Sequence, residues 1–356
     1  MRHLLLIFLT ALFMPFLWGF FNSKTTPSES ESSRVTPMTT AEVRSTAPSA
    51  LQFNLEEMRS TWSWRIDEDG AEAAYNDFTE SYRSASAARH LAAHYFGGLL
   101  YEKIGIRGII ICDETFEFGC YHGFFTNAMT REGVSFITEL DHVCIEQHGK
   151  DGQACQHGIG HGVLEYIGHH RLEEALQLCQ HTTQVSPFSG CPSGVFMEYN
   201  APMIFTATGA VTMVRAFDPI KPHNPCPMLT KIEFRESCYY SLPNWLGHAN
   251  LGFDFDDVGG LCQVVSGVKE QEACFLGVGR VAAWLNEYSP EETKHMCNTM
   301  PSQKGRNLCQ REAAWSFFAE SRYRDLAPTL CEDLPHAERL RCPSANTPDH
   351  DNGNKS

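Results

Sequence analysis

Apolar and polar positions divide the chain into stretches of distinct character. After Met1-Arg2-His3 comes an apolar run from Leu4 to Phe21, 18 residues long and just sufficient to span a bilayer. No small-x-small cleavage site follows it, so residues 1–22 read as an uncleaved signal anchor and transmembrane segment with Arg2 on the cytoplasmic side. Pro15 inside the run keeps a cleaved export signal as the alternative, and both readings place the remainder outside the cytoplasm. Residues 23–50 are mostly Ser, Thr, Pro and Glu, a composition that buries too little apolar surface to order and predicts a disordered tether.

From residue 51 to 111 the pattern turns helical. His90, Leu91, His94, Tyr95, Gly98 and Leu99 recur at helical spacing in a stretch with few breakers, Ser84 to Lys103. This segment contains no cysteine before its end and is expected to form an N-terminal helical cap, because a repeat array needs an atypical first element to cover its apolar face.

Residues 112–342 carry all 14 cysteines in seven short-range pairs, 112/120, 144/155, 179/191, 226/238, 262/274, 297/309 and 331/342. The second cysteines advance by 35, 36, 47, 36, 35 and 33 residues, which is close to one period throughout apart from a single longer step. A period near 35 fits a helix-turn-helix unit. In the third unit, Leu172-Glu-Glu-Ala175-Leu176-Gln-Leu178-Cys179 reads as an amphipathic helix, and Cys191-Pro-Ser-Gly opens the next through Val195, Phe196 and Tyr199. Cys274-Phe-Leu-Gly-Val-Gly repeats the scheme in the fifth unit. The prediction is an all-α fold of disulfide-stapled helical-hairpin repeats forming an α-solenoid or α/α toroid, each staple joining the end of one helix to the start of the next. Each short loop so closed adds about 2–3 kcal/mol of stability by loop entropy. The recurring Gly158, Gly160, Gly194, Gly277 and Gly279 are expected to let helices pack closely.

The longer step holds an apolar insertion, Ala201 to Phe217, which reads as an extra helix packed on the array, or as a lid or partner-docking element. Residues 343–356 are polar and acidic and are expected to be a disordered tail.

Composition narrows the function. A formal charge of −15 with no Lys/Arg cluster argues against nucleic acid as a partner. Regularly paired cysteines without any CxxC imply structural disulfides in an oxidising compartment, periplasmic or extracellular. Asn354-Lys-Ser356 is the lone N-glycosylation sequence, which favours a bacterial envelope.

The chemistry lies in histidine. His157 and His161 follow Cys155, His90 and His94 lie in the cap helix, and the four-residue spacing in each pair puts both rings on one helical face. His122 stands two residues after Cys120, as His157 stands two after Cys155. Other units have Ser193, Tyr240, Leu276 or Arg311 at that place, so the histidines are confined to adjacent units and mark a local site. His122, His157, His161, His90 and His94 are the expected ligands of a transition metal ion (Zn, Cu or Fe), kept neutral by helix N-termini. Glu165 continues the face as a ligand or general base, followed by His169. Minor candidates are Arg280 for an anionic substrate, His248 on the same surface, and a calcium loop at Asp254-Phe-Asp256-Asp257 that lacks the Gly and closing Glu such loops use.

His157-Gly-Ile-Gly-His161-Gly resembles, over fewer than ten residues, the glycine-rich helix starts of lanthionine-cyclase-like α/α toroids. The period here is shorter and the cysteines are paired, so no function is carried over. The reading is a membrane-anchored extracytoplasmic helical repeat protein whose histidine-ligated metal serves oxidoreductase or hydrolase chemistry. The alternative is a non-catalytic scaffold with structural histidines, binding a protein or small-molecule ligand on its concave face.

Overall fold

The computed structural model describes residues 54–343, except 84–85, 114, 117, 150–152, 184–186, 207–208, 248–253 and 321. By its contacts the chain divides into Met1–Ala47 and Pro48–Ser356, and the description concerns the second part alone. The expected anchor, tether and acidic tail therefore lie outside the described residues. Among the described residues no helix is long and apolar enough to cross a membrane.

The first helices are α1 (Leu55–Asp69), α2 (Ala71–Tyr82) and α3 (Ser86–Ile104). Asn54 caps α1 by accepting the amide of Glu57 at 3.0 Å. Trp62 of α1 and Phe78 of α2 pack on Phe96 of α3, with ring centroids 5.9 and 4.6 Å away, and so fix the helix that carries His90 and His94. A 3₁₀ segment, Gly105–Ile111, leads to Cys112.

Seven disulfides then join 112/120, 144/155, 179/191, 226/238, 262/274, 297/309 and 331/342, and no cysteine is free. They link helices α4 (Gly119–Glu132), α5 (Ile137–His148), α6 (Gln153–Ile167), α7 (Leu172–Leu178) and α8 (Cys191–Asn200). The array continues with α9 (Ile232–Leu246), α10 (Phe255–Gln263), α11 (Val268–Leu285), α12 (Pro290–Asn298), α13 (Gln303–Ala319) and the short α14 (His336–Arg339). The staple joins a helix start in the first three units, as expected. In the next three it enters the helix interior, because α9, α11 and α13 begin six residues ahead of Cys238, Cys274 and Cys309. There the preceding turn is brief, with Ser302 capping α13 through the amide of Gly305, so the helix starts early. In the last unit Cys342 lies beyond α14.

The insertion does not form the expected helix. Met203–Thr206 and Gly209–Thr212 pair as an antiparallel hairpin, the only strands among the described residues. Met203-Ile204-Phe205 and Val211 are β-branched or large apolar residues that suit strands.

Helices α3, α4, α6, α8, α9, α11 and α13 contact one another in that order as a row. A continuous apolar core runs along them from Met58 to Cys309, and a smaller one gathers Phe317, Leu330 and Leu334 at the far end. Glycine sets their spacing. A Cβ on Gly97 would overlap the carbonyl oxygen of Cys120, and one on Gly123 that of His94, so α3 and α4 meet backbone to backbone. Gly160 against Cys191 and Gly194 against His157 do the same for α6 and α8.

Candidate metal centre

These backbone contacts bring the histidines together. Gly123 touches the carbonyl of His94, and Gly194 touches that of His157, so the ring-bearing residues sit where the helices come closest. The disulfides 112–120 and 144–155 hold the starts of α4 and α6 beside them. Buried Asp141 of α5 adds a tie by accepting from the Gln156 side chain and from the Thr183 amide at 3.0 Å.

All five histidines converge. His90 Nε2 lies 3.1 Å from His94 Nε2, which lies 2.9 Å from His122 Nδ1. His157 Nε2 and His161 Nε2 are 3.2 Å apart, and the His122 ring stacks on His161 at 4.2 Å between centroids. Two groups of three can each hold a metal ion, His90/His94/His122 and His122/His157/His161, with donor atoms within 4.8 Å of one another. Nitrogens bound at ~2.0–2.1 Å to one metal lie about 2.9 Å apart at a right angle and about 3.3 Å apart at the tetrahedral angle. The observed spacings fall in that range.

Two partners fix tautomers. His90 Nδ1 is 2.7 Å from the carbonyl oxygen of Phe116, which only accepts, so the proton sits on Nδ1 and Nε2 offers a lone pair. Phe116 holds this position at φ 56°, and Phe118 follows at φ 63°, left-handed conformations that are costly for phenylalanine. At the other end His161 Nδ1 donates to Glu198 Oε2 at 3.0 Å, leaving its Nε2 as the ligand atom. The 3.2 Å approach of His157 to that lone pair requires a proton on His157 Nε2 or a cation shared by both nitrogens. His122 Nε2 is buried and has no hydrogen-bond partner among the described residues, and an unsatisfied buried polar atom costs about 1–3 kcal/mol.

Electrostatics disfavour charge on three of the rings. Burial, then the neighbouring imidazoles, hold His94 and His122 well below the usual histidine range. His157 is lowered by burial, by His161 and by Arg280. For these three rings desolvation is the leading cause, with the neighbouring charges adding to it. Burial alone would raise the Glu198 carboxyl, but hydrogen bonds from His161 and His169 hold it below the usual carboxylate range. His169 rises in turn, chiefly through its 2.9 Å bond to Glu198.

A cavity of about 210 Å³ leads to the cluster, with His94, His161, Glu165 and Glu198 in its wall. Glu165 lies exposed at this opening and accepts from Thr126 Oγ1 at 2.8 Å. The desolvating cavity wall, then Glu198, raises its carboxyl above the usual value. Arg280 lies near enough to His157 to lower it, and its Nη1 donates to Ser193 Oγ at 3.4 Å. Asp254 is a helix cap for α10, accepting the amides of Asp256 and Asp257, which is why an acidic trio stands there. His248 lies outside the described residues.

Glu198 is the residue that sequence reasoning passed over. Its signal was a lone carboxylate in Val195-Phe196-Met197-Glu198-Tyr199, an apolar helical stretch where an acid needs a partner; it is 3% exposed.

Fold and site together define a mainly helical protein with seven disulfides and a buried histidine cluster that could hold a metal, and its disulfides indicate an oxidising, extracytoplasmic or secreted setting. No family model, no curated protein and no solved structure matches the chain.

Proposed function

We propose that the chain is a metalloprotein whose histidine cluster binds a transition metal, Zn, Cu or Fe, for hydrolytic or oxidoreductase chemistry. The carrying observation is His122 Nε2, a buried ring nitrogen with no hydrogen-bond partner amid four other imidazoles. Two of its neighbours, His90 and His161, have lone pairs directed by Phe116 and Glu198.

When bound, the metal supplies Lewis acidity or electron transfer. Glu165, exposed at the cavity and raised in pKa, is placed to take a proton from a water or small substrate entering there. Thr126 Oγ1 orients that carboxylate. Arg280, beside Ser193 and near His157, supplies a positive charge for an anionic group.

The setting completes the reading. Residues 51–111 cap an array at 112–342, with residues 1–22 as membrane anchor, 23–50 as tether and 343–356 as tail. Side-chain contacts skip a helix in the row: His94 reaches His161, Ser193 reaches Arg280, and Tyr240 donates to Glu312 at 2.6 Å. Such contacts support a tightly concave row, an arc or ring, with the cluster on its inner face.

A second reading keeps the histidines structural, since neutral imidazoles at 2.9–3.2 Å can hydrogen-bond to one another without a metal. Elemental analysis of full-length protein purified without an affinity tag separates the two. Stoichiometric metal that disappears in a His157→Ala/His161→Ala double variant supports the metalloprotein. Metal-free protein whose double variant merely melts earlier supports the scaffold.

A further inference from the structure

We infer that the centre is dinuclear, with the His122 ring bridging two metal ions through its two nitrogens. This deepens the metalloprotein reading and rests on it.

The two ligand groups are distinct triads that share one residue, His122. Its Nδ1 points into the first, 2.9 Å from His94 Nε2. An imidazole carries its second nitrogen on the other side of the ring, and a single nitrogen cannot serve ions on both sides. That second nitrogen, Nε2, is the buried atom with no hydrogen-bond partner, while His157 and His161 pack against the same ring at 5.1 and 4.2 Å between centroids. Residue 122 is 2% exposed, so bulk solvent does not reach that nitrogen.

Each triad also has its own orienting group. Phe116, in the loop closed by the 112–120 disulfide, fixes His90 in the first. Glu198, on α8, fixes His161 in the second. The two orienting groups thus act on different triads, one on His90 and one on His161. The triads each supply three nitrogens, which leaves a coordination position for water or substrate on each ion. The second triad has a carboxylate, Glu198, hydrogen-bonded to one of its rings, whereas the first has a backbone carbonyl, so the two positions are chemically unequal.

Bridging has a proton cost that must balance. Neutral His122 holds one ring proton, and binding of the second ion displaces it to solvent, leaving an imidazolate between the metals. Metal–nitrogen bonds of ~2 Å on either side of the ring put the ions about 6 Å apart.

Full-length protein without an affinity tag, stripped by a chelator, is titrated separately with Zn(II) and Cu(II), passed through gel filtration and analysed for metal. Two ions per chain are expected for the wild type, and one each for His90→Gln and His161→Gln. Electron paramagnetic resonance of the copper-loaded wild type should show an exchange-coupled pair, with signal below that of two isolated spins. His122→Gln should abolish the coupling. One ion per chain overturns the dinuclear centre and leaves the metalloprotein reading intact, whereas no ion overturns both. Two ions with uncoupled spectra overturn the bridge. The wild-type stoichiometry and spectrum decide the matter even if the His122 variant does not fold.

Discussion

His161 and Glu198 form a buried pair: the ring donates Nδ1–H to the carboxylate at 3.0 Å, and both side chains are nearly inaccessible. They come from different units, joined where Gly160 and Gly194 bring α6 and α8 into backbone contact. The carboxylate thereby selects which nitrogen of His161 faces the cluster.

Glu198→Gln tests that selection. The amide keeps the shape but can donate as well as accept, so the tautomer is no longer dictated. Metal affinity, measured by competition with a chromophoric chelator, should fall about 10–100-fold. The His169 pKa, followed by NMR, should drop back towards the usual histidine value, because its main support is this carboxylate. Unchanged affinity would make Glu198 a packing residue.

Stability should fall on acidification of the metal-free protein. His94, His122 and His157 all titrate below the usual histidine value when folded. The unfolded chain takes up their protons near pH 6.5 while the folded cluster resists, so stability holds above about 6.5 and declines below it. Each group contributes at most about 1.4 kcal/mol per pH unit. His169 works in the opposite sense, being raised, but it is one partly exposed group against three. Urea unfolding at pH 7.5, 6.5 and 5.5 checks the slope; a flat profile would contradict the neutral, desolvated cluster.

The glycine contacts predict a sharp contrast. Gly123→Ala and Gly194→Ala force a methyl into a facing backbone carbonyl and should cost about 1–3 kcal/mol or more, with loss of metal binding as the helices separate. Gly260→Ala, in α10 with open space around it, should be neutral or stabilising by up to about 1 kcal/mol. Thermal melts of the three variants decide it.

Mass mapping of the unreduced protein should return seven local bridges and no reactive thiol. Removing one by a Cys297→Ser/Cys309→Ser double variant should cost about 2–3 kcal/mol, since it closes a loop of separation 12. Bridges between distant units would overturn the unit-by-unit architecture.

Cysteine rhythm and helical periodicity, both local properties, were enough to derive the staples, the helix on which His90 and His94 stand, and the histidine set itself. Glycine at Gly160 and Gly194 likewise announced close packing, because a glycine inside a helix needs such a reason. The hairpin at 203–212 was not legible, since a short apolar run suits a strand or a buried helix equally and only its pairing decides. Glu198 and the Phe116 carbonyl depend on which helix faces which and on a left-handed backbone turn; residues 37 and 26 positions apart in the chain meet only after packing. Sequence spacing sets which groups share a helical face, whereas tertiary packing alone sets which faces meet, how far each ring is desolvated and which nitrogen is left with an open lone pair.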